Sequence, residues 1–375
     1  MRIAFFCDSY KPFLSGVTNT VSILTKELRK LGHTVYIIAP GYPGQEENEQ
    51  DVFRLPSIPT RYPNFRLGIP IIKKIPDIDL VHCHSPFQIG LMGKLTARKR
   101  KIPLVYTFHT FFTRYVHHGA LIPPAIAKIG IVAYVRAFSN SADKVITPTK
   151  MAMRVLKKWK AAPSIEVIPS GVDFSDFPEN REETKLLLRK QYNIPISAKV
   201  LVCVCRLSKE KNIQFILDAF NKTSADQLVL VGGGPLLEKL QNTNHKLHSK
   251  IIIVGNVPYP EVLKYYLIGD IFVYSSLTET QGMVIAEAKH AGLPAVALYS
   301  GALADSVRSG IDGYLVPRNM EAFSTHINRL LSENDLRAKM ALAALEDAKD
   351  RFSSSSVAKR HESVYNFLIK NKKAR

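Results

Sequence analysis

Two carboxylates, Glu279 and Glu287, have seven residues between them in the stretch 275–294, SSLTETQGMVIAEAKHAGLP. An apolar run at 270–274, DIFVY, reads as the buried strand before it. The chain then turns through Glu279-Thr280-Gln281-Gly282 and continues as a short helix from about Met283 to Ala291, stopped by Gly292. One carboxylate therefore lies in the loop above the helix and the other within it. In a parallel α/β sheet that loop is at the carboxyl edge of the strands, where ligands bind. The amides of Gly282, Met283 and Val284 lack intrahelical acceptors, so this helix start suits oxygen-rich or anionic groups. A surface helix with two solvated glutamates would show the same spacing.

Other residues could share that chemistry. A strand at 199–205 leads into RLSKEKN at 206–212, where Arg206 and Lys211 bracket a loop. Two cations beside helix-start amides can hold a diphosphate without a metal; a solvated loop is the alternative. His109 follows the strand of 102–108 and either reaches a ligand or is satisfied by backbone groups. Gly16 stands before the first helix, where glycine allows close approach to a phosphate or simply a tight turn. The run Gly232-Gly233-Gly234-Pro235 opens a helix but lacks the spacing of a nucleotide-binding glycine loop. Asp77-Ile78-Asp79 precedes a strand, the wrong side for a metal-binding pair. His82 and His84 have no third ligand nearby and read as a polar strand end facing a cleft.

The elements that must position these residues alternate strand and helix in both halves. A strand at 2–8 is followed by the loop SYKPFLSG. Val17, Val21, Leu24, Leu28 and Leu31 then recur at helical spacing, and a strand follows at 34–39. The pattern restarts at 199 after a polar linker and short helix at 174–197. Helices are expected at 125–138, after Pro123-Pro124, at 260–267, and at 354–370.

With 375 residues, 46% of them hydrophobic, the chain can bury two cores, and 22% charged residues exclude wholesale disorder. The four cysteines lie in or beside apolar runs without CxxC spacing, as in a reduced cytosolic protein. Met1-Arg2 runs directly into the first strand, so no leader is expected, and no apolar run is long enough to span a membrane. The net charge of +19 predicts an anionic partner. Nucleic acid is disfavoured by the lack of RNP aromatics, zinc fingers or a helix-turn-helix signature. An anionic bilayer suits the basic and aromatic residues Arg98, Lys99, Arg100, Lys101, Phe111, Phe112, Arg114 and Tyr115; a core helix with solvated basic rims is the competing reading.

Taken together, the motifs resemble the retaining GT-B glycosyltransferases of family 4, nearly end to end. They are SGV at 15–17, TFHT at 107–110, SGVD at 170–173, CRLSKEKN at 205–212, VGGGP at 231–235, GNVP at 255–258 and the glutamate pair. Three departures stand out: Ser15 for the first glycine of a usual pair, Gly233 for a frequent acidic residue, and Thr280-Gln281 for a frequent Gly-Phe. None removes a charge that the chemistry needs.

The resemblance implies an α/β GT-B fold, two Rossmann-like domains facing a central cleft. The expected divisions are 1–176, 177–352 and a helix, 353–375, crossing back to the first domain. It implies that a sugar nucleotide is held by Gly16, Arg206, Lys211, Val257, Glu279, Gln281, Gly282, Met283, Val284 and Glu287. Glu287 takes the ribose hydroxyls. Arg206 and Lys211 stabilise the departing diphosphate in place of a metal, and Glu279 and His109 orient the sugar. HSPF at 84–87, TFHTFFTRYVHH at 107–118 and TETQG at 278–282 look most like bacterial diacylglycerol α-glucosyltransferases. A UDP-sugar donor, a lipid acceptor and a peripheral place on the inner face of the cell membrane are thereby expected. Another acceptor or a GDP-sugar donor stays open.

Overall fold

The computed structural model describes residues 1–13, 15–44, 49–60, 65–71, 75–114, 123–161, 164–247 and 250–373. The chain divides into two compact units, Met1–Gly171 with Ser354–Arg375, and Val172–Ser353. The divisions fall near, but not at, those expected from the sequence. Val172 donates its amide to the Phe352 carbonyl at 2.8 Å and packs against Ala286 and Phe352, which places 172–176 in the second unit.

In the first unit, strands β1 (Arg2–Phe6), β2 (Thr34–Pro40), β3 (Val52–Leu55), β4 (Ser57–Pro59), β5 (Arg66–Gly68), β6 (Leu80–Cys83), β7 (Leu104–Thr107), β8 (Lys144–Thr147) and β9 (Ile165–Val167) alternate with helices α1 (Gly16–Lys30), α2 (Gln88–Arg100), α3 (Pro124–Ser139) and α4 (Lys150–Lys158). Seven strands form one parallel sheet in the order β3-β2-β1-β6-β7-β8-β9, with β4 and β5 a separate antiparallel pair. The inner strands β6 and β7 are buried at every position, as a parallel sheet covered on both faces requires. The apolar spacing of α1 becomes a buried stripe of Val21, Leu24 and Leu28. Its start is fixed by Ser15, whose hydroxyl accepts from the Thr18 amide at 3.1 Å.

The second unit repeats the scheme with β10 (Val200–Val204), β11 (Gln227–Val231), β12 (Ile251–Gly255), β13 (Ile271–Tyr274), β14 (Ala295–Leu298) and β15 (Gly313–Val316). Its helices are α5 (Arg181–Gln191), α6 (Ile213–Phe220), α7 (Leu237–Leu247), α8 (Met283–His290), α9 (Met320–Ser332) and α10 (Asn334–Asp347). Its parallel sheet runs β12-β11-β10-β13-β14-β15. The turn of helix expected at 260–267 is a 3-10 segment, Glu261–Ile268. The last helix, α11 (Ser354–Lys373), belongs to the first unit, where Val357, Val364 and Tyr365 join the core of Phe5, Val21 and Leu28.

The strand order reverses between β1 and β6 in one unit and between β10 and β13 in the other. Outside the carboxyl ends of such a pair, neighbouring loops diverge to opposite faces and leave a crevice. The loops carrying Gly16, Arg206, Lys211 and Glu279 leave three of these strands, β1, β10 and β13, whereas His109 follows β7 and Val257 follows β12. All four cysteines are buried and free. Among the described residues no helix is long and apolar enough to cross a membrane.

Candidate active site

In the second unit, the loop after β10 and the loop after β13 meet at the reversal point. Lys211 ends a short 3-10 turn, Lys209–Lys211, after β10. Its ammonium pairs with Oε1 of Glu279 and lies 3.2 Å from the Tyr274 hydroxyl. Tyr274, the last residue of β13, donates to the same carboxylate oxygen at 2.6 Å. Burial pushes the Glu279 carboxyl up, but Lys211, Tyr274 and Ser276 outweigh it and hold it below the usual glutamate value. Ser275 ties the two loops further by donating to the carbonyls of Lys211 and Asn212 at 2.8 and 2.9 Å. Arg206 is exposed at the head of the Lys211 loop. An ion pair is thus held at the sheet edge with a second, hydrated cation close in the chain.

Gly282 caps the start of α8 with φ +78°, the left-handed region that a side chain resists. Met283 and Val284 are the first residues of α8, where helix amides have no intrahelical acceptor. Gln281 is buried, and its carbonyl accepts from the Ser306 hydroxyl at 2.9 Å, which steadies the turn. Glu287 lies one turn deeper in α8 and is buried; its Oε2 accepts from the Tyr266 hydroxyl at 2.5 Å. Burial raises the Glu287 carboxyl and Tyr266 only partly opposes it. Val257 is half-buried in the loop after β12. Gly232 and Gly233 have a structural use. A Cβ on Gly232 would fall 1.9 Å from the Cys205 carbonyl, and Leu207 donates its amide to the Gly233 carbonyl at 2.8 Å, so this loop supports the Arg206–Lys211 loop.

In the first unit, Gly16 opens α1 beyond the end of β1, and a Cβ there would meet nothing within 4 Å. Neither crowding nor a left-handed φ accounts for glycine at this position. His109 is half-buried just beyond β7, and burial, with His361 nearby, takes its imidazole down to about 3. The expected cleft-facing His82-Cys83-His84 end is corrected by the structure. His82 is fully buried, bonded to Tyr365 of α11 and to Thr107 at 2.7 Å each, because β6 is an interior strand.

The basic and aromatic residues divide. Arg98 and Lys99 are exposed at the end of α2, and Lys101 caps it in the left-handed region. Arg100 is exposed but held by the carbonyls of Ile75 and Pro76. Phe111 is not an outward residue: it is 4% exposed and packs on Phe108. Phe112 is half-buried against Phe87. Arg114 closes a 3-10 turn, and Tyr115, with the rest of 115–118, lies outside the described residues. In their place, α2 and α3 expose Leu91, Leu95, Ile126 and Ile129. The two helices are neighbours, since Tyr134 donates to the Pro86 carbonyl at 2.5 Å and Lys94 lies over the Phe138 ring.

Sequence reasoning missed Tyr274 and Tyr266, the phenols that bind the two glutamates. Tyr274 was legible only as a strand residue, and nothing in the spacing links Tyr266 to Glu287. It also missed Lys289, whose fully buried ammonium reaches Asp312 at 2.9 Å, Asp347 and the Ser306 carbonyl, anchoring α8 from below. A lysine in an apolar helix ordinarily reads as exposed.

Two parallel sheets with matching strand reversals, and a site at one of them, define the GT-B class. A Glycosyltransferase Family 4 model matches residues 14–176, and a Glycosyl transferases group 1 model matches 184–347. The chain belongs to these GT-B glycosyltransferases. It is similar to alpha-monoglucosyldiacylglycerol synthases of Streptococcus pneumoniae (30% identical, covering 99% of this chain and 87% of the relative) and Acholeplasma laidlawii (30%, covering 100% and 99%). It is 27% identical to a GDP-mannose-dependent alpha-mannosyltransferase of Corynebacterium glutamicum, covering 94% of this chain and 85% of the relative. Among solved structures, Anabaena HepE in complex with UDP has the same fold, with a TM-score of 0.78 at 19% identity over 98% of this chain and 100% of that one.

Proposed function

We propose that this glycosyltransferase transfers glucose, with retention at the anomeric carbon, from UDP-glucose to a lipid hydroxyl, that of diacylglycerol. The observation that carries the donor half is the Lys211–Glu279–Tyr274 cluster at the strand reversal, beside a helix start and above Glu287. In this reading Glu287 accepts from the ribose hydroxyls, since a carboxylate takes two at once. Arg206 and Lys211 stabilise the charge growing on the diphosphate, so no divalent metal is required. The backbone around Val257 takes the base. The side chain of Glu279, with the amides of Gln281, Gly282, Met283 and Val284, orients the sugar. In the same reading His109 bonds the sugar, and Gly16 admits the phosphates. The acceptor hydroxyl attacks on the face the diphosphate leaves, a donor phosphate oxygen takes its proton, and UDP departs.

The acceptor half draws on two alpha-monoglucosyldiacylglycerol synthases that align with this chain over 87% and 99% of their own length. It is supported by the exposed Leu91, Leu95, Ile126 and Ile129 on α2 and α3, which also carry Lys94, Arg98, Lys99, Lys128 and Arg136, a composition suited to an anionic bilayer. The enzyme then works as a peripheral protein on the inner face of the cell membrane. A GDP-mannose donor is the second reading, favoured by the mannosyltransferase relative.

The test is UDP or GDP release from a panel of sugar nucleotides, with and without diacylglycerol in anionic-lipid micelles. Diacylglycerol-dependent release from UDP-glucose is expected. Release that ignores the lipid would refute the acceptor, and release only from GDP-mannose would refute the donor.

A further inference from the structure

The two parallel strands β6 and β7 end side by side, and the residues just beyond them are His84 and His109. Nδ1 of His84 lies 3.0 Å from Nε2 of His109, with the rings 5.3 Å apart and nearly parallel. His84 is 3% exposed; its other face covers the His82 ring at 4.1 Å, and the Phe5 ring meets it at 4.7 Å. Its amide is fixed to the Phe6 carbonyl at 3.0 Å. The remaining ring nitrogen of His84, Nε2, is buried without a partner among the described residues.

Burial pushes both imidazoles well below the ordinary histidine range, so the pair shares one hydrogen bond between two neutral rings. Two arrangements satisfy that bond. If His109 donated from Nε2, His84 would carry its proton on Nε2, a buried N–H with no acceptor. If His84 donates from Nδ1, the orphan on Nε2 is only a lone pair. Unpaired buried donors are rarer in proteins than under-used acceptors, and they carry the full desolvation penalty. The other buried histidines leave this choice alone. His82 is taken up by the Tyr365 and Thr107 hydroxyls, which can each give or accept, and His361 donates from Nδ1 to the Val357 carbonyl at 2.9 Å.

We propose that His84 is a positioning residue that sets the tautomer of His109: His84 donates from Nδ1 to Nε2 of His109, so His109 keeps its proton on Nδ1 and meets a ligand as a hydrogen-bond donor. The consequence for catalysis rests on the proposed placement of His109 at the transferred sugar. A sugar hydroxyl bonded by His109 then accepts that bond and keeps its own proton for another partner. No family motif or relative's name assigns this work to His84.

The test uses the full-length protein with nitrogen-labelled histidine. Long-range proton–nitrogen correlation spectra report which ring nitrogen carries the proton, and His109 is assigned from the signals lost in His109→Gln. The expected result is a neutral Nδ1–H His109 from about pH 5 to 8, the range where ordinary histidines titrate. His84→Asn, whose side-chain amide can donate from the place of Nδ1, should keep that tautomer. His84→Leu should release it to Nε2–H or a mixture. In turnover, His84→Leu should lower kcat by about 10- to 100-fold with little change in donor KM, and His84→Asn should recover most of it. A wild-type His109 protonated on Nε2, or one unaffected by His84→Leu, overturns the proposal. If the tautomer follows His84 but turnover does not, the tautomer assignment stands and the placement of His109 at the sugar fails.

Discussion

Lys211 and Glu279 are 68 residues apart in the chain and form an ion pair where the strand order of the second sheet reverses, with the Tyr274 hydroxyl bonded to both. The pair joins the loops after β10 and β13, so the cation proposed for the diphosphate and the carboxylate proposed for the sugar hold each other in place. Such preorganisation places charge without reorganisation during reaction.

The pair has a pH signature. The folded Glu279 carboxyl is depressed below its ordinary 4.5. A depressed carboxyl stabilises the fold above its unfolded value and loses that contribution as pH falls through the folded value. Melting temperatures of the wild type should therefore fall more steeply below about pH 4.5 than those of Glu279→Gln, with the two curves converging at the acid end. Parallel curves would show that Lys211 does not stabilise the Glu279 carboxylate.

Glu287→Gln should keep the fold, because the amide oxygen can still accept from Tyr266, yet weaken UDP. Losing charge-assisted bonds to ribose costs about 1.5–3 kcal/mol each, or roughly 10- to 100-fold in affinity. Titration calorimetry with UDP reads this directly. Undiminished affinity would refute the ribose assignment.

At Gly16 the free protein has room for a side chain. Gly16→Val should leave the melting temperature within about 2 °C, as a surface change away from packed features does. If phosphates approach α1 here, kcat/KM for the donor should drop by about 10-fold or more, in line with small misplacements in active sites. Full activity in Gly16→Val would remove the glycine from the donor site.

For the membrane face, Arg98→Glu with Lys99→Glu should reduce co-sedimentation with phosphatidylserine vesicles, and Ile126→Ser with Ile129→Ser should do so at high salt too. Each basic residue near an anionic surface contributes about 1 kcal/mol, which salt screens, whereas apolar insertion is not screened. Arg100 is left out because it braces the carbonyls of Ile75 and Pro76. Vesicle binding untouched by either double variant would sink this face as the contact.

Strand–helix alternation was legible because buried parallel strands and amphipathic helices write their periods into the chain. The spacing of Val21, Leu24 and Leu28 became the buried side of α1, and DIFVY became β13. The helix at Met283 was legible from Gly282, since a left-handed turn favours glycine. Phe111 was misread as a surface aromatic because composition cannot tell which rings a loop folds inward. His82 and His84 were misread for a related reason: a polar residue near a strand end looks exposed until the fold supplies its partner, Tyr365 for His82 and His109 for His84.

By itself, then, the sequence determined the elements, their class, and the residue types offered at the strand ends, all of which depend on neighbours in the chain. The tertiary structure alone decided the pairings that give those residues their chemistry. Lys211 finds Glu279, Tyr266 finds Glu287, His84 finds His109 and Lys289 finds Asp312 and Asp347 only because the parallel sheets and the helices packed on them bring distant segments together. Hydrogen bonds and burial act over a few ångströms of space, and separation along the chain carries no record of them.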